Sequence, residues 1–502
     1  MKWATLSTAL LPLVAAHGFT HEQYASGEVM DLMMAGKEAM WAEQRAAGAY
    51  DNKRWNGFHK KRSHKNKIAC KNGRVEAVKG DADQTYRCKN VDLYDFKTHD
   101  ELGDPIGEGS GSWGWSHRGR DFIAIGQTYG ASFSEVTKDG QLEYLGRLPA
   151  QNDSVIWREI KVVRDSLIVG SEGTGHHVQV FDLKKLLKLS PKKPKVFDIV
   201  ADVALVDIDQ GVRGRTHTVV ANEERNYAVA CGAGGRPGRN DTCAGGPMFI
   251  NMDDPTKPYV EGCAGQDGYT HDAQCIVYRG PHKKYYGRDI CYGYNEDTLT
   301  IYDATNKKGD GNAGAIISRT PYVGASYTHQ GWVLDPMWQT HLVMDDELDE
   351  GQIDPNRTAV GSPAADGFAV TYIWDIQNLE APKVTGYYKT TTRSVDHNQY
   401  VYDGLDYQSN YQAGLRILDV SSIPKFPDGS KVKEIGYFDV YPPDDMKPGG
   451  GDALWNGGTW SAYTFESGYV VVNTIDRGVF VVKQADVRGH RRGKGKYWNK
   501  WW

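Results

Sequence analysis

A short pattern recurs seven times along this chain of 502 residues, at intervals of about 40 to 70 residues. Each copy opens with a residue pair that precedes a β-like run, and the pairs are Ser116-His117, Trp157-Arg158, Thr216-His217, Thr270-His271, Thr328-His329, Asp396-His397 and Thr459-Trp460. Each copy closes with an apolar run such as VQVFDL, DTLTIYDA or AGLRILDV. Repeats of this length, with about four strands each, are typical of propeller blades. The sequence therefore predicts an all-β fold, a seven-bladed β-propeller.

The ends of the repeat region indicate how the ring closes. The seventh copy ends near Lys483, and the β-like run VDLYDF at 91–96 precedes the first copy. We expect this N-terminal run to form the outer strand of the last blade, because closure removes exposed sheet edges. The propeller then spans 70–483, between a helical and basic segment at 17–69 and a basic, aromatic tail at 484–502.

Residues 1–16 are typical of a secretory signal peptide. Lys2 supplies the positive start, LSTALLPLV the apolar stretch, and Val14-Ala15-Ala16 a small-residue cleavage site. The apolar stretch is too short to span a bilayer, and no other run in the sequence is long enough. The sequence therefore predicts a secreted, extracellular protein without a transmembrane segment.

The segment before the propeller has few helix breakers between His21 and Ala47, and we expect a helix there. Its apolar residues can form one stripe, made by Met30, Leu32, Met33, Met40 and Trp41. The dibasic pair Lys61-Arg62 follows. Two interpretations stay open: a pro-segment that is cut after Arg62, or a helical arm that packs on the propeller.

Seven cysteines fit an oxidising compartment and leave one unpaired. We expect the pairs Cys70–Cys88, Cys231–Cys243 and Cys275–Cys291. Three N-glycosylation sequons, at Asn152, Asn240 and Asn356, fall in expected loops and predict a glycoprotein.

Four of the repeated pairs carry a histidine in consecutive blades, and propeller geometry would bring these side chains to one end of the central channel. The expected metal ligands are His217, His271, His329, His397, Asp272 and Asp396. Imidazole and carboxylate groups together suit a divalent ion such as Zn or Mn. The structural alternative is that each histidine bonds the neighbouring blade and water fills the channel. We expect ordinary turns at the opposite end.

The loops between second and third strands should add polar groups to the histidine end. The acids expected there as Ca²⁺ ligands or ligand contacts are Asp345, Asp346, Glu347 and Glu296. A run of acids is also typical of a solvated loop. The expected ligand-binding residues at this end are Arg158, Asn410 and Arg477.

Several long motifs resemble those of a known family. The blocks that carry the resemblance include WREIKVV, GYTHDAQCIVYRGP, YTHQGWVLD, DHNQYV and NYQAGLRILDV. They are similar to the choice-of-anchor B family of LVIVD-repeat propellers, whose secreted fungal branch is often labelled "regulatory P domain-containing". The resemblance runs from about Cys70 to Val482. It implies a propeller fold and an extracellular location, and it implies no established activity.

Three functions are compatible with these features. The first is an extracellular recognition propeller with a His/acid metal or ligand site. The second is a metal-assisted polysaccharide lyase or another carbohydrate-active enzyme, and the third is a scaffold without a ligand. The net charge is −5 although both ends are basic, so the body is acidic and nucleic acid is not an expected partner. We expect a small molecule or a glycan. The basic ends are either solvated tails or contacts to cell-wall polysaccharide.

Overall fold

The fold is described from a computed structural model, over residues 19–64, 66–104, 106–151, 154–208, 214–233, 242–350 and 361–485. The predicted signal peptide, the three sequons and most of the basic tail lie outside these ranges. Among the described residues, no helix combines the length and apolar character needed to cross a membrane.

Seven sheets follow one another along the described parts of the chain and form the predicted seven-bladed propeller; their pairings are antiparallel, except that the outer strand Lys195–Val196 joins blade 1 in parallel. Blade 1 contains the strands Gly109–His117, Arg120–Gln127, Gly130–Val136 and Leu142–Pro149, with Lys195–Val196 added outside. Blade 2 contains Ile160–Val163, Ser166–Val169, Val178–Asp182 and Val203–Val206. Blade 3 contains Thr218–Asn222, Tyr227–Cys231, Met248–Asn251 and Tyr259–Cys263. Blade 4 contains Asp272–Val277, Asp289–Tyr294, Thr298–Asp303 and Ala315–Pro321.

The last three blades complete the ring. Blade 5 contains Thr328–Val333, His341–Asp346, Phe368–Asp375 and Lys383–Arg393. Blade 6 contains Asn398–Tyr402, Leu405–Ser409, Leu415–Asp419 and Lys433–Phe438, extended by Thr85–Lys89 and Arg74–Glu76. Blade 7 contains Thr459–Thr464, Tyr469–Thr474, Gly478–Gln484 and Val91–Thr98.

The closing strand comes from the N-terminal side, as the sequence predicts. Val91–Thr98 pairs antiparallel with Gly478–Gln484, so the first and last strands of the ring share blade 7. The innermost strands of neighbouring blades contact one another all the way around, including blade 7 with blade 1. The ring therefore has a closed wall around a central channel, with no open edge between blades 1 and 7.

Apolar faces of adjacent blades pack against each other and form the core. Between blades 4 and 5, for example, the buried side chains of Tyr292 and Tyr294 belong to the same cluster as Leu342 and Met344. Both faces of most strands are covered in this way, which explains why runs such as TLTIYD are buried almost throughout. Burial on both faces also means that a polar side chain in these strands needs a specific partner.

The segment before the propeller is helical and lies on one end of the ring. It contains three α-helices: α1 (His21–Ala25), α2 (Glu28–Ala46) and α3 (Phe58–Lys61). The buried face of α2 includes Met30, Met33 and Trp41 of the predicted apolar stripe, whereas Leu32 and Met40 are half-buried. The structure has this arm packed on the propeller, and cleavage after Arg62 stays a prediction.

Two of the three expected disulfides are present, and the prediction of a Cys231–Cys243 bond is wrong. Cys70–Cys88 and Cys275–Cys291 are bonded, the latter between directly paired residues of adjacent strands. Cys243 is bonded to Cys263, and Cys231 is a buried free thiol. The reason lies in the register of blade 3, where Cys263 pairs with Met248 at the end of the sheet that the Cys243 loop covers. Cys231 instead ends the second strand, paired with Thr218 at the start of the first.

Candidate functional site at the two ends of the channel

Four histidine rings form an arc at the end of the channel where the innermost strands begin. The ring centroids of His217 and His271 are 4.4 Å apart, those of His271 and His329 4.3 Å, and those of His329 and His397 4.5 Å. Trp460 of blade 7 continues the arc, 5.0 Å from the ring of His397. The equivalent positions of successive blades thus bring side chains together that are far apart in the sequence.

Contacts to neighbouring blades hold two of these rings. His271 Nδ1 lies 2.9 Å from the carbonyl oxygen of His329, and His397 Nδ1 lies 2.7 Å from that of Trp460 and 2.8 Å from the amide nitrogen of Asn398. A carbonyl only accepts, so Nδ1 carries the proton in His271 and its Nε2 keeps a lone pair. Burial holds the pKa of His271, His329 and His397 well below the usual range. These rings are therefore neutral near pH 7.

Helix α2 covers the histidine arc and inserts a lysine beside it. Lys37 Nζ lies 2.6 and 2.7 Å from the two carboxylate oxygens of Glu347, and 3.3 Å from the hydroxyl of Tyr411. The Tyr411 hydroxyl also donates to Glu347. Both Lys37 and Glu347 are buried. The ammonium therefore uses three acceptor atoms, and its charge is matched by a carboxylate.

Only a small space remains between the helix and the histidines. The cavity there has a volume of about 10 Å³, and Met30, Met33, Met34 and Lys37 lie on its helix side. Such a volume holds one water-sized species. Trp41, further along α2, donates its indole N–H to the carbonyl of Trp455 at 2.7 Å and anchors the helix on the ring.

A subset of the expected metal ligands lies close enough to share an ion. Ligand atoms of His329, His397 and Glu347 all lie within 4.8 Å of one another. His217 is instead held by Glu172, with 3.1 Å between Nδ1 and Oε1. His271 belongs to the arc but not to this three-ligand set among the described residues. Asp272 and Asp396 are likewise buried and outside the set.

The acids expected at this end are buried rather than solvated, and they have different surroundings. Asp346 accepts from the Tyr322 hydroxyl and from the backbone N–H groups of Ser326 and Tyr327, so it organises a loop. Asp345 accepts from the backbone N–H of Gln330 at 2.8 Å, and Glu296 is buried beside Tyr327. Burial raises the pKa of Asp346 to about 6 and that of Asp345 well above its usual range.

Three residues expected to bind a ligand are covered by protein. Arg158 is fully buried and donates to the carbonyl of Gln127 at 3.0 Å. Arg477 is buried over the ring of Trp55 and donates to the carbonyl of Asp83. Asn410 is buried as well.

His117, which the repeat pattern aligned with the other histidines, ends the strand Gly109–His117. It therefore lies at the opposite end of the channel, stacked on Trp115.

The opposite end holds the large cavity of the molecule, where the sequence predicted only turns. It lies where the innermost strands end and has a volume of about 740 Å³. Its walls are mostly apolar, and they include Trp113, Val220, Ile276, Trp332, Val401 and Val420. These residues come from blades 1, 3, 4, 5 and 6, so the cavity is a property of the ring rather than of one blade.

Lys161 lines this cavity and is itself 5% exposed. Its Nζ lies 4.6 Å from the ring centroid of Trp113 and 3.3 Å from the hydroxyl of Tyr400. The nearest carboxylate oxygen, Oε2 of Glu159, is 4.0 Å away. The other oxygen of Glu159 accepts the indole N–H of Trp460 at 2.7 Å. Within the described parts of the chain, the Lys161 ammonium has one hydrogen-bond partner for its three donors.

Comparisons with known proteins find remote structural similarity at low sequence identity. No family model matches the chain, and no curated protein matches it. Among solved structures, the chain is similar to the β-propeller domain of Cps50 (Swd1) from Myceliophteria thermophila, with 11% identity, a TM-score of 0.42, and coverage of 76% of this chain and 100% of that one. It is also similar to YCF48 bound to D1 peptide, with 9% identity, a TM-score of 0.43, and coverage of 79% and 96%.

Proposed function

We propose that the protein is a secreted binding protein of the choice-of-anchor B type, which takes up a small molecule at the wide end of its channel. The observation that carries this proposal is the cavity of about 740 Å³ that the ring encloses there. Its volume falls within the range of about 300 to 1,000 Å³ that is usual for ligand pockets. Apolar walls around a few polar groups are also usual for such pockets.

The two ends of the channel favour different occupants. The histidine end is covered by α2, and the remaining space of about 10 Å³ admits no organic ligand. The wide end is open to solvent along its acidic rim and has aromatic side chains inside. Its mostly apolar walls favour a small apolar molecule over a cell-wall glycan, because sugar hydroxyls would need more hydrogen-bonding partners.

Binding of N-phenyl-1-naphthylamine, an uncharged fluorescent probe, tests this proposal. We expect its fluorescence to rise on binding to the wild-type protein, because the walls exclude water from the dye. Ala221→Trp adds an indole to the cavity wall and should weaken binding about tenfold, or by about 1.4 kcal/mol. Val200→Trp, at an exposed position outside the cavity lining, is the matched control. Equal affinity of both variants would place the dye elsewhere and refute the proposal.

A second proposal concerns a divalent metal ion at the histidine end. It is supported by the three ligand atoms of His329, His397 and Glu347 within 4.8 Å, which suit Zn or Mn better than Ca²⁺ because two of them are imidazole nitrogens. Lys37 already neutralises both oxygens of Glu347. An ion at this set would therefore compete with the ammonium of Lys37.

Zinc titration of the wild-type protein and of Lys37→Met tests the metal proposal. We expect elemental analysis to find at most weak retention in the wild type and about one zinc per chain in Lys37→Met, because the variant frees the carboxylate. The control is Lys37→Met combined with His329→Ala and His397→Ala, which should lose the ion. Retention by this triple variant would move the ion away from the histidines.

The lyase hypothesis needs a polysaccharide to reach the histidines. Since α2 and its lysine cover that end, the arrangement offers such an enzyme no substrate path, and we carry the hypothesis no further. The binding role does not depend on it.

A further inference from the structure

The wide cavity contains one buried cation whose hydrogen-bonding capacity is largely unused. Lys161 Nζ has a single hydroxyl partner, Tyr400 at 3.3 Å, and a carboxylate oxygen at 4.0 Å, the outer limit of an ion pair. A buried ammonium with unused donors is costly unless something else accepts from it. Because Lys161 lines the cavity, the acceptor can come from a ligand.

The charges around the cavity argue against an anionic ligand. Oε2 of Glu159 lies 4.0 Å from the ammonium, and Asp272 is close enough to interact with it electrostatically. The carboxyl groups that line the cavity are those of Glu223, Glu224, Asp335 and Asp403, and burial raises the pKa of Glu223 to about 8, so the negative charge comes mainly from the other three. The guanidinium at the rim, Arg279, is already paired with Glu224. A carboxylate ligand would therefore pass an acidic rim and end beside Glu159.

We infer that the ligand is an uncharged, apolar molecule with an acceptor oxygen at one end, such as a long-chain alcohol or ketone, and that this oxygen accepts from Lys161. The apolar walls take the hydrocarbon part, and the ammonium supplies the one directional contact. This inference rests on the proposed function, since it assigns a chemical class to the same cavity.

Isothermal titration with 1-decanol and with decanoate, at pH 8, tests the inference. The two compounds share chain length, and at this pH decanoate is ionised whereas decanol is uncharged. We expect decanol to bind about tenfold more tightly than decanoate. Decanoate affinity equal to or above that of decanol would overturn the inference.

Substitution of the lysine locates the contact. Lys161→Met keeps the side-chain length and removes the donors, so decanol affinity should fall about tenfold. Lys161→Gln retains an N–H donor, so its affinity for decanol should fall less than that of Lys161→Met. This variant keeps the test valid if the methionine variant folds poorly. Lys425→Met, outside the cavity lining, is the control.

The outcomes separate the two proposals. Unchanged decanol affinity in both Lys161 variants would overturn the assignment of the oxygen to Lys161, even if the dye still binds in the cavity. Failure of both the dye and decanol to bind the wild-type protein would instead refute the binding function itself, and with it the inference.

Discussion

Two buried lysines lie toward opposite ends of the same channel, and their surroundings differ. Lys37 comes from outside the ring, on α2, and bonds both oxygens of Glu347 and the hydroxyl of Tyr411. Lys161 belongs to the wall of the ring and has the hydroxyl of Tyr400 and a distant carboxylate. The first sits over a space of about 10 Å³ and the second lines one of about 740 Å³.

The difference teaches that burial alone does not identify a functional charge. A charge with all its partners inside the protein holds two parts of the chain together. A charged group with unused hydrogen-bond donors that lines a cavity can instead donate to a ligand. By this criterion the contacts of Lys37 join α2 to the ring, and the proposed binding site lies at the wide end.

Methionine substitution of each lysine gives the largest expected contrast. Lys37→Met leaves the buried carboxyl group of Glu347 without its ammonium partner, so the free energy of unfolding should fall by about 3 to 5 kcal/mol. Lys161→Met removes a poorly matched charge, and the change should be about 1 kcal/mol or less. Urea unfolding of both variants at pH 7 measures the difference.

A second substitution provides the control for the Lys37 result. Lys37→Met combined with Glu347→Gln removes the uncompensated charge and should recover part of the lost stability. If Lys37→Met and Lys161→Met lowered the free energy of unfolding by the same amount, the two lysines would contribute equally to stability. That result would contradict the distinction between them.

A smaller effect on stability is expected at Asp406, a buried carboxyl group whose hydrogen-bond donor is an amide and not an ammonium. Asp406 is fully buried, it accepts from Gln408 at 3.0 Å, and burial raises its pKa to about 7. A carboxyl group whose pKa is raised by folding favours the folded state most at low pH, and this contribution is lost as the pH rises through 7. Relative to the wild type, Asp406→Asn should therefore gain about 3 kcal/mol of stability between pH 5 and pH 8.

Urea unfolding midpoints across this pH range measure the effect. Ser430→Ala, at a position away from the buried acids, should follow the pH dependence of the wild type. Parallel curves for Asp406→Asn and the wild type would mean that Asp406 ionises normally in the folded protein.

The sequence predicts the fold well because the repeats carry the information. Each blade has its own turn and strand pattern, and the run at 91–96 has no place except as the closing strand Val91–Thr98. The same periodicity places His217, His271, His329 and His397 at equivalent positions. It misplaces His117 because the first strand begins at Gly109, in a glycine-rich run that the pattern did not count as a strand.

The sequence predicts the site less well because the decisive contacts join distant segments. Lys37 follows Met33 by four residues and Met30 by seven, so it lies on the same helix face as the apolar stripe, and this spacing is a signal that could have placed it inside. Nothing in the sequence specifies that its partner is Glu347. Lys161 interrupts the apolar strand IKVV, but whether it meets a carboxylate or an open cavity depends on side chains from blades 1 and 6.

The order of elements along the chain puts the helix that covers the histidines and the strand that closes the ring in separate segments. Helix α2 ends at Ala46, whereas the strand that closes the ring starts at Val91 and is preceded by the Cys70–Cys88 disulfide. A cut after Arg62 would leave the wall intact and turn α2 from a tethered part of the protein into a separate peptide. Its hold on the histidine end would then depend on its own concentration instead of on the local concentration that the chain enforces.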